Sequence, residues 1–292
     1  MRALSKTAKV LLGLAVVVVV LLGVLLAFFF NSQSEAEQTG NWELVNTYDH
    51  DATNFTQGLE FLHDGRLVES TGLQDESKIV IYDVTDDGVR EMHSIMVDHH
   101  NAPGGVPIFG EGITQVDDST LISLTWQDEE AYIWNYRPGA EQVITLASDH
   151  TYPNEGWGIC YDESTDKLWT SDGSATLVQR DPATLAEIAN VAVTLDEQPL
   201  DRLNELECVN GAVYANVFTE NYIVKIDPDT GVVTVSWNLT ELAEQDGAIN
   251  QERAGTGHVM NSVLNGIAYN TATDTFWVTG KNWHQYYEVK LG

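Results

Sequence analysis

The stretch FGEGITQV, from Phe109 to Val116, places Glu111 between two glycines at the start of a strand-like apolar run. Glycine weakens a strand and occurs where the backbone bends or where another group must approach closely. A carboxyl group enclosed by apolar side chains has a raised pKa and can exchange protons near neutral pH. Glu111 is therefore a candidate acid–base residue, although a turn can hold a glutamate between glycines without any chemistry.

The Glu111 motif belongs to a pattern that recurs five times. The segments are TQGLEF, GEGITQ, GWGICY, LNELEC and LNGIAY. Their central positions are Gly58, Gly112, Gly158, Glu205 and Gly266, each followed by Leu or Ile. The interval of about 50 residues is typical of propeller blades or another repeat array.

Each unit continues with two further strand-like runs bounded by turn residues, and most units have a fourth. The last unit lacks the fourth run, and NWELVNTYDH, from Asn41 to His50, precedes the first unit. We expect this run to pair with the last blade, which would protect the sheet edges. The sequence thus predicts an all-β fold, a five-bladed β-propeller whose final blade is closed by the N-terminal strand. A β-sandwich fits the fivefold recurrence less well.

The residue before each central position differs from unit to unit and is large or polar. These residues are Gln57, Glu111, Trp157, Asn204 and Asn265. Rotational equivalence should bring all five to one mouth of the central channel. A purely structural motif would repeat one residue, so the variation favours a functional site.

Cys160 and Cys208 follow the motif in two consecutive units. Inner strands of neighbouring blades diverge, so we expect the two sulfurs to lie too far apart for a bridge. The prediction is two buried free thiols.

The run from Val10 to Phe30 carries no charge, and about 20 apolar residues suffice to cross a bilayer as one transmembrane helix. Its length favours an uncleaved signal-anchor over a cleaved signal peptide. Only basic charges precede it, which predicts a cytoplasmic stub. We expect the stub and anchor over 1–30, a polar tether over 31–40 and a propeller catalytic domain over 41–292. The domain would lie outside the cytoplasm on the cell membrane, or be secreted if the anchor is cleaved.

The chain has 44 Asp and Glu residues against 14 Lys and Arg, a formal net charge of −30. Binding to phosphates needs a basic surface, so nucleic acid is excluded as a partner. A strongly acidic surface is well solvated and suits high salt, where repulsion between carboxylates is screened.

Nine short motifs in order resemble the glutamine cyclotransferase family of plants and bacteria. They are FTQGL, ESTGL, FGEGIT, GWG, SDGS, RLNELE, YANVF, VLNGIAY and VTGKNW. The resemblance covers about Trp42 to Gly292. It implies a five-bladed propeller that converts the N-terminal glutamine of peptides or proteins to pyroglutamate and releases ammonia.

The resemblance also implies roles for residues at matching positions. It assigns the essential acid to Glu111, pocket aromatics to Phe55, Phe109, Trp126 and Trp157, and polar site residues to Gln57, Asn204 and Lys281. The chain departs from the family at Phe218, where a family member has Trp. Phe keeps a stacking face but lacks the indole donor, which puts the shape or affinity of the pocket in doubt.

In this chemistry Glu111 takes a proton from the α-amine and gives one to the leaving nitrogen. Lys281 stabilises the developing charge on the carbonyl oxygen, and Asn204 and Gln57 hold the substrate. Asp172 in SDGS is interpreted as a turn residue.

No metal is expected in catalysis, although the resemblance suggests a structural calcium ion in the channel. The His cluster DHHN, from Asp98 to Asn101, lacks the spacing of a metal motif and reads as a loop. Two alternatives stay open: a propeller lactonase or hydrolase that uses a divalent ion, and a non-catalytic exported binding module.

Overall fold

The computed structural model describes residues 38–85, 87–97, 108–254 and 262–292. They belong to one compact unit, Glu37–Gly292. Within these residues no helix is long and apolar enough to span a membrane. The anchor predicted over 1–30 and the DHHN cluster lie outside them.

Five antiparallel sheets form the blades of a propeller. The described chain begins with β1 (Gln38–Thr39) and β2 (Trp42–Asp49). Blade 1 contains β3 (Thr56–Phe61), β4 (Leu67–Thr71), β5 (Lys78–Thr85) and β6 (Gly88–Met96). Blade 2 contains β7 (Gly110–Asp117), β8 (Thr120–Thr125), β9 (Glu130–Tyr136) and β10 (Ile144–Thr151). Blade 3 contains β11 (Ile159–Asp162), β12 (Lys167–Thr170), β13 (Thr176–Arg180) and β14 (Glu187–Ala192).

A small hairpin of β15 (Thr194–Leu195) and β16 (Gln198–Pro199) leads to the fourth blade. Blade 4 contains β17 (Leu203–Val209), β18 (Ala212–Val217), β19 (Tyr222–Ile226) and β20 (Val233–Asn238). The helix α1 (Thr240–Ala254) follows. Blade 5 contains β21 (Leu264–Asn270), β22 (Thr275–Gly280) and β23 (Gln285–Leu291).

The two chain ends meet as predicted, because β2 pairs antiparallel with β23 and completes blade 5. Each inner strand packs against the inner strand of the next blade, and β21 packs against β3, which closes the ring. β1, within the stretch predicted as a tether, adds to β20 in parallel and covers the edge of blade 4.

Apolar side chains fill the space between each pair of neighbouring blades. Five separate clusters of buried residues occupy these spaces, and the cluster between blades 4 and 5 includes residues of α1. Because both faces of a blade are covered, a strand such as β5 buries consecutive residues from Ile79 to Tyr82. This explains why the strand sequences are runs of apolar residues and do not alternate strictly between apolar and polar residues.

A buried polar cluster also joins blade 5 to blade 1. The carboxylate of Glu69 accepts hydrogen bonds from His50, Asn54, Thr56, Tyr82 and Tyr286. Burial raises the pKa of Glu69, but the His50 ring and the hydroxyl donors outweigh it and leave the pKa lowered. The cluster ties the residue after β2 to the second strand of blade 1.

The recurring glycine has a steric cause. A Cβ atom on Gly58 would meet the backbone of Gly112 and Ile113, one on Gly112 the backbone of blade 3, and one on Gly158 the carbonyl oxygen of Asn204. The inner strands therefore approach so closely at the channel that no side chain fits between them at these positions.

We predict that Gly158→Ala lowers the thermal unfolding temperature sharply, because the added methyl group must push blades 3 and 4 apart. Gly247→Ala in α1 is the control, since a Cβ atom there meets nothing within 4 Å and alanine favours a helix by about 1 kcal/mol. The two melting curves, recorded by circular dichroism, should move in opposite directions. Equal stability of Gly158→Ala and the native chain would contradict this packing.

Glu205 occupies the glycine position of blade 4 and is 1% exposed. Its Oε1 accepts a hydrogen bond from the amide of Leu59 at 3.2 Å, and its Oε2 accepts one from Ile267 at 2.8 Å. Burial raises the pKa of Glu205 well above its usual range, and nearby Glu60 adds to the effect. Glu205 thus links blade 4 to blades 1 and 5.

The prediction of free thiols is wrong, because Cys160 and Cys208 form a disulfide with Cα atoms 5.4 Å apart. The expectation relied on the divergence of neighbouring inner strands. Both cysteines lie within three residues of the central position of the motif, where β11 and β17 still lie against each other. The strands have not yet separated at this level.

We expect the Cys160→Ser/Cys208→Ser double variant to lose about 2–4 kcal/mol of unfolding free energy, as for other disulfides that close long loops. The loop here spans 48 residues. Denaturant unfolding with and without reductant measures the loss. Reductant should weaken the native chain and leave the double variant unchanged; reactive thiols in the folded native chain would refute the pairing.

Candidate active site

One mouth of the channel opens into a cavity of about 490 Å³. It is lined by Phe55, Gln57, Leu73, Phe109, Glu111, Trp126, Trp157, Asn204, Phe218, Lys281 and Asn282. All nine residues predicted to act in catalysis or substrate binding lie in this lining. Their chemical roles stay predictions.

Four of the five residues before the central position form the floor of the cavity, as the repeat register predicts. Gln57, Glu111, Trp157 and Asn204 line it directly. The fifth equivalent, Asn265, is fully buried and donates from Nδ2 to Oε1 of Gln57 at 3.1 Å. This bond directs Nε2 of Gln57 towards Glu111, where it donates to Oε1 at 3.0 Å.

A second ring of equivalent positions forms the walls. In each unit, the Leu or Ile after the central position pairs with a residue of the second strand. The wall residue comes three positions after that partner, past the end of the second strand. The five residues are Gly72, Trp126, Gly173, Phe218 and Lys281. Phe109 lies against Gly72 and Trp157 lies against Gly173, so each glycine makes room for an aromatic ring. The second strand of each unit carries this register in the sequence, in addition to the motif of the first strand.

Aromatic side chains enclose the cavity on several sides. Phe109 makes edge contacts with Phe55 and Trp126, with ring centroids 6.1 and 5.5 Å apart. Trp157 packs edge-on against Phe218 at 5.7 Å. Such walls exclude water and strengthen the electrostatic interactions between the polar groups inside.

Glu111 is 5% exposed. Burial raises its pKa well above the usual range, the Lys281 ammonium opposes this, and the carboxylate of Glu155 adds to it. The hydrogen bond from Gln57 to Oε1 favours the other carboxyl oxygen as the proton carrier. A carboxyl group with a raised pKa can take a proton from an amine and return it.

Lys281 is 4% exposed, and its Nζ lies 4.8 Å from the ring centroid of Phe55 and 5.0 Å from that of Phe218. Burial lowers the pKa of Lys281 to about 8, although Glu111 acts in the opposite direction. The ring faces stabilise the cation. Its N–H groups remain suited to a developing negative charge on a substrate oxygen.

Asn204 lines the cavity and has a buried side-chain acceptor. Its Oδ1 has no hydrogen-bond partner among the described residues. A buried polar atom without a partner is costly, so a substrate N–H group that bound there would remove the cost.

Three residues at the site escaped the sequence reasoning. Leu73 and Asn282 line the cavity with left-handed backbones, at φ 81° and 60°; Leu73 is unusual in that conformation. Glu155 binds the tryptophan side chains at the rim. It precedes Trp157 by two residues, as Phe55 and Phe109 precede Gln57 and Glu111, and this register could have revealed it.

Asp172 holds a turn, as expected, because its Oδ1 accepts a hydrogen bond from the amide of Ser174 at 3.0 Å. Among the residues that the structure describes, no group of three or more His, Cys, Asp or Glu side chains is arranged to hold a metal ion.

Comparison with known proteins places this site in a family. Residues 16–291 match the sequence model of the family described as glutamine cyclotransferase. A glutaminyl-peptide cyclotransferase of Arabidopsis thaliana is 29% identical over 249 residues, which cover 85% of this chain and 71% of the relative. The crystal structure of Myxococcus xanthus glutaminyl cyclase is 30% identical, with a TM-score of 0.73, over 87% of this chain and 98% of that one.

A more distant likeness, to an aldose sugar dehydrogenase of Streptomyces coelicolor, bears on the fold alone. The two chains are 10% identical, with a TM-score of 0.52, over 88% of this chain and 100% of the other. The family match extends over nearly the whole chain and includes every residue of the cavity. The chain therefore belongs to the glutamine cyclotransferase family.

Proposed function

We propose that this protein is a glutaminyl-peptide cyclotransferase, which cyclises the N-terminal glutamine of peptides or proteins to pyroglutamate and releases ammonia. The observation that carries the proposal is the pairing of buried Glu111, whose pKa is raised, with buried cationic Lys281 inside an aromatic cavity. Family membership and the similarity to glutaminyl cyclases support it.

The reaction is intramolecular, so the cavity has to fold the substrate into the reactive shape. The aromatic walls pack around the glutamine side chain and bring its amide carbon to the α-amine. Glu111 takes the proton that keeps the amine unreactive. The amine nitrogen then bonds to the amide carbon and closes the five-membered ring.

The carbonyl oxygen becomes negative as this bond forms, and Lys281 stabilises it. Asn204 Oδ1 accepts an N–H group of the substrate. Glu111 then gives its proton to the side-chain nitrogen, the carbon–nitrogen bond breaks, the carbonyl re-forms and ammonia leaves. The ring nitrogen gives its extra proton to the Glu111 carboxylate, which releases it to solvent. Gln57 keeps Glu111 oriented throughout, through the bond at 3.0 Å.

The test gives the full chain a peptide that begins with glutamine, and follows ammonia release and peptide mass with and without a chelator. We propose that no metal takes part, so cyclisation should continue in the chelator. Loss of activity in the chelator, restored by a divalent ion, would favour the metal-dependent lactonase or hydrolase type of site. A folded chain without activity at low and high salt would favour a binding module.

A structural calcium ion is a separate proposal. The family resemblance suggests it, and calcium takes backbone carbonyl oxygens as ligands as well as carboxylates. Its ligands therefore need not include a group of acidic side chains. Calcium should raise the unfolding temperature and leave the rate of cyclisation unchanged.

We also propose that the chain is held on the outer side of the cell membrane by residues 10–30. The uncharged run and the basic residues before it support this, and a disulfide is typical of proteins outside the cytoplasm. Membrane fractionation and N-terminal sequencing of the mature protein would test the anchor and its cleavage.

A further inference from the structure

Glu155 joins side chains from two blades at the rim of the cavity. It lies between β10 and β11, with an exposed side chain. Its Oε2 accepts hydrogen bonds from the indole Nε1 of Trp126 at 3.1 Å and of Trp157 at 3.2 Å. Its Oε1 accepts one from Nε2 of Gln127 at 2.8 Å.

This arrangement holds two aromatic side chains of the cavity, one of which is substantially exposed. Trp126 is 36% exposed and has Phe109 as its ring neighbour. Without a common acceptor, two indoles on separate blades could turn independently. An ionised acceptor strengthens both hydrogen bonds, since bonds to charged groups are about twice as strong as neutral ones.

The charge of Glu155 also reaches the reacting group. It is one of the groups that raise the pKa of Glu111, so it helps the acid to retain a proton taken from the substrate. The side chain therefore acts on both the shape and the proton affinity of the site.

We propose that Glu155 is a positioning residue for cyclisation, which holds Trp126 and Trp157 in place around the glutamine pocket and acts on Glu111 by its negative charge. The inference rests on the proposed function. It extends the site to a residue that makes no contact with the reacting atoms.

Two variants separate these contributions. Glu155→Gln keeps a carbonyl acceptor and loses the charge, whereas Glu155→Ala loses both. Glu141→Gln is the control, because this substitution also removes one negative charge. Glu141 is exposed in the turn between β9 and β10, at the opposite end of blade 2.

The full chain and each variant are compared by kcat, KM and the pH profile of kcat/KM with a glutaminyl peptide. The acid limb of the profile reports Glu111 in the free enzyme. In Glu155→Gln this limb should move to lower pH, with KM within about twofold of native. In Glu155→Ala it should move likewise and KM should rise about tenfold, the equivalent of one lost charged hydrogen bond. Glu141→Gln should match the native enzyme.

Acrylamide quenching of tryptophan fluorescence, measured without substrate, gives a readout that does not depend on activity. Quenching should increase in Glu155→Ala, and the increase should shrink when Trp126→Phe is added. Native KM, native acid limb and native quenching in Glu155→Ala would overturn the proposal. A native chain that fails to cyclise any peptide would instead refute the proposed function, and quenching would still decide whether Glu155 holds the indoles.

Discussion

Replacing Glu111 with Gln should lower kcat for cyclisation by about 10²–10⁴-fold, the range expected when a general acid–base group is lost. Gln keeps a carbonyl oxygen for the hydrogen bond from Gln57, so the cavity should keep its shape. KM should therefore change little. Ammonia release and peptide mass measure the loss.

The same substitution should stabilise the fold. The pKa of Glu111 is raised from its ordinary value of 4.5 by burial, so above that pH the folded state holds a proton that the unfolded state releases. The contribution of Glu111 to the unfolding free energy falls as the pH rises through this window. Gln does not titrate, so the gain in melting temperature should be smallest below about pH 4.5 and should grow towards neutral pH.

Glu141→Gln, at the far end of blade 2, should change neither activity nor the pH dependence of melting. Full cyclisation by Glu111→Gln would keep the function and discard the proposed mechanism. Lost activity together with lower stability would mean that Glu111 serves the fold and not the chemistry.

Replacing Lys281 with Met should lower kcat by about 10²–10³-fold, as when a group that stabilises an oxyanion is removed. Met retains most of the apolar stem between Phe55 and Phe218, so binding of the glutamine side chain should persist. Lys290→Met is the control, because Lys290 is exposed on β23. Steady-state kinetics with a glutaminyl peptide measures both variants.

The pH profile tests whether the charge of Lys281 is what matters. Its pKa is lowered to about 8, so the native enzyme should lose activity as Lys281 loses its proton above that pH. Arg stays charged, and Lys281→Arg should retain part of the activity with an alkaline limb at higher pH. The substrate amine is the same for both enzymes, so the difference between their limbs reports Lys281. Coincident limbs would exclude Lys281 as the titrating group.

The repeat was enough to predict the propeller and the floor of its site. Inner strands that nearly touch require glycine at Gly58, Gly112 and Gly158, and the same steric demand in each blade leaves a period in the sequence. Once that register is known, the rotational symmetry of the blades places equivalent residues at one mouth of the channel. These residues are Gln57, Glu111, Trp157 and Asn204. The wall residues came from the family resemblance, although Trp126, Phe218 and Lys281 obey a second register of the same kind.

Only the tertiary structure decided the pairings between blades. The disulfide of Cys160 and Cys208, the two bonds of Glu205 and the shared acceptor Glu155 each depend on how closely and at what angle the blades pack. A local pattern records which face of a strand is buried, because that follows from its own alternation and turns. It does not record the distance between two side chains on different sheets, because that distance is set by the packing of the whole ring.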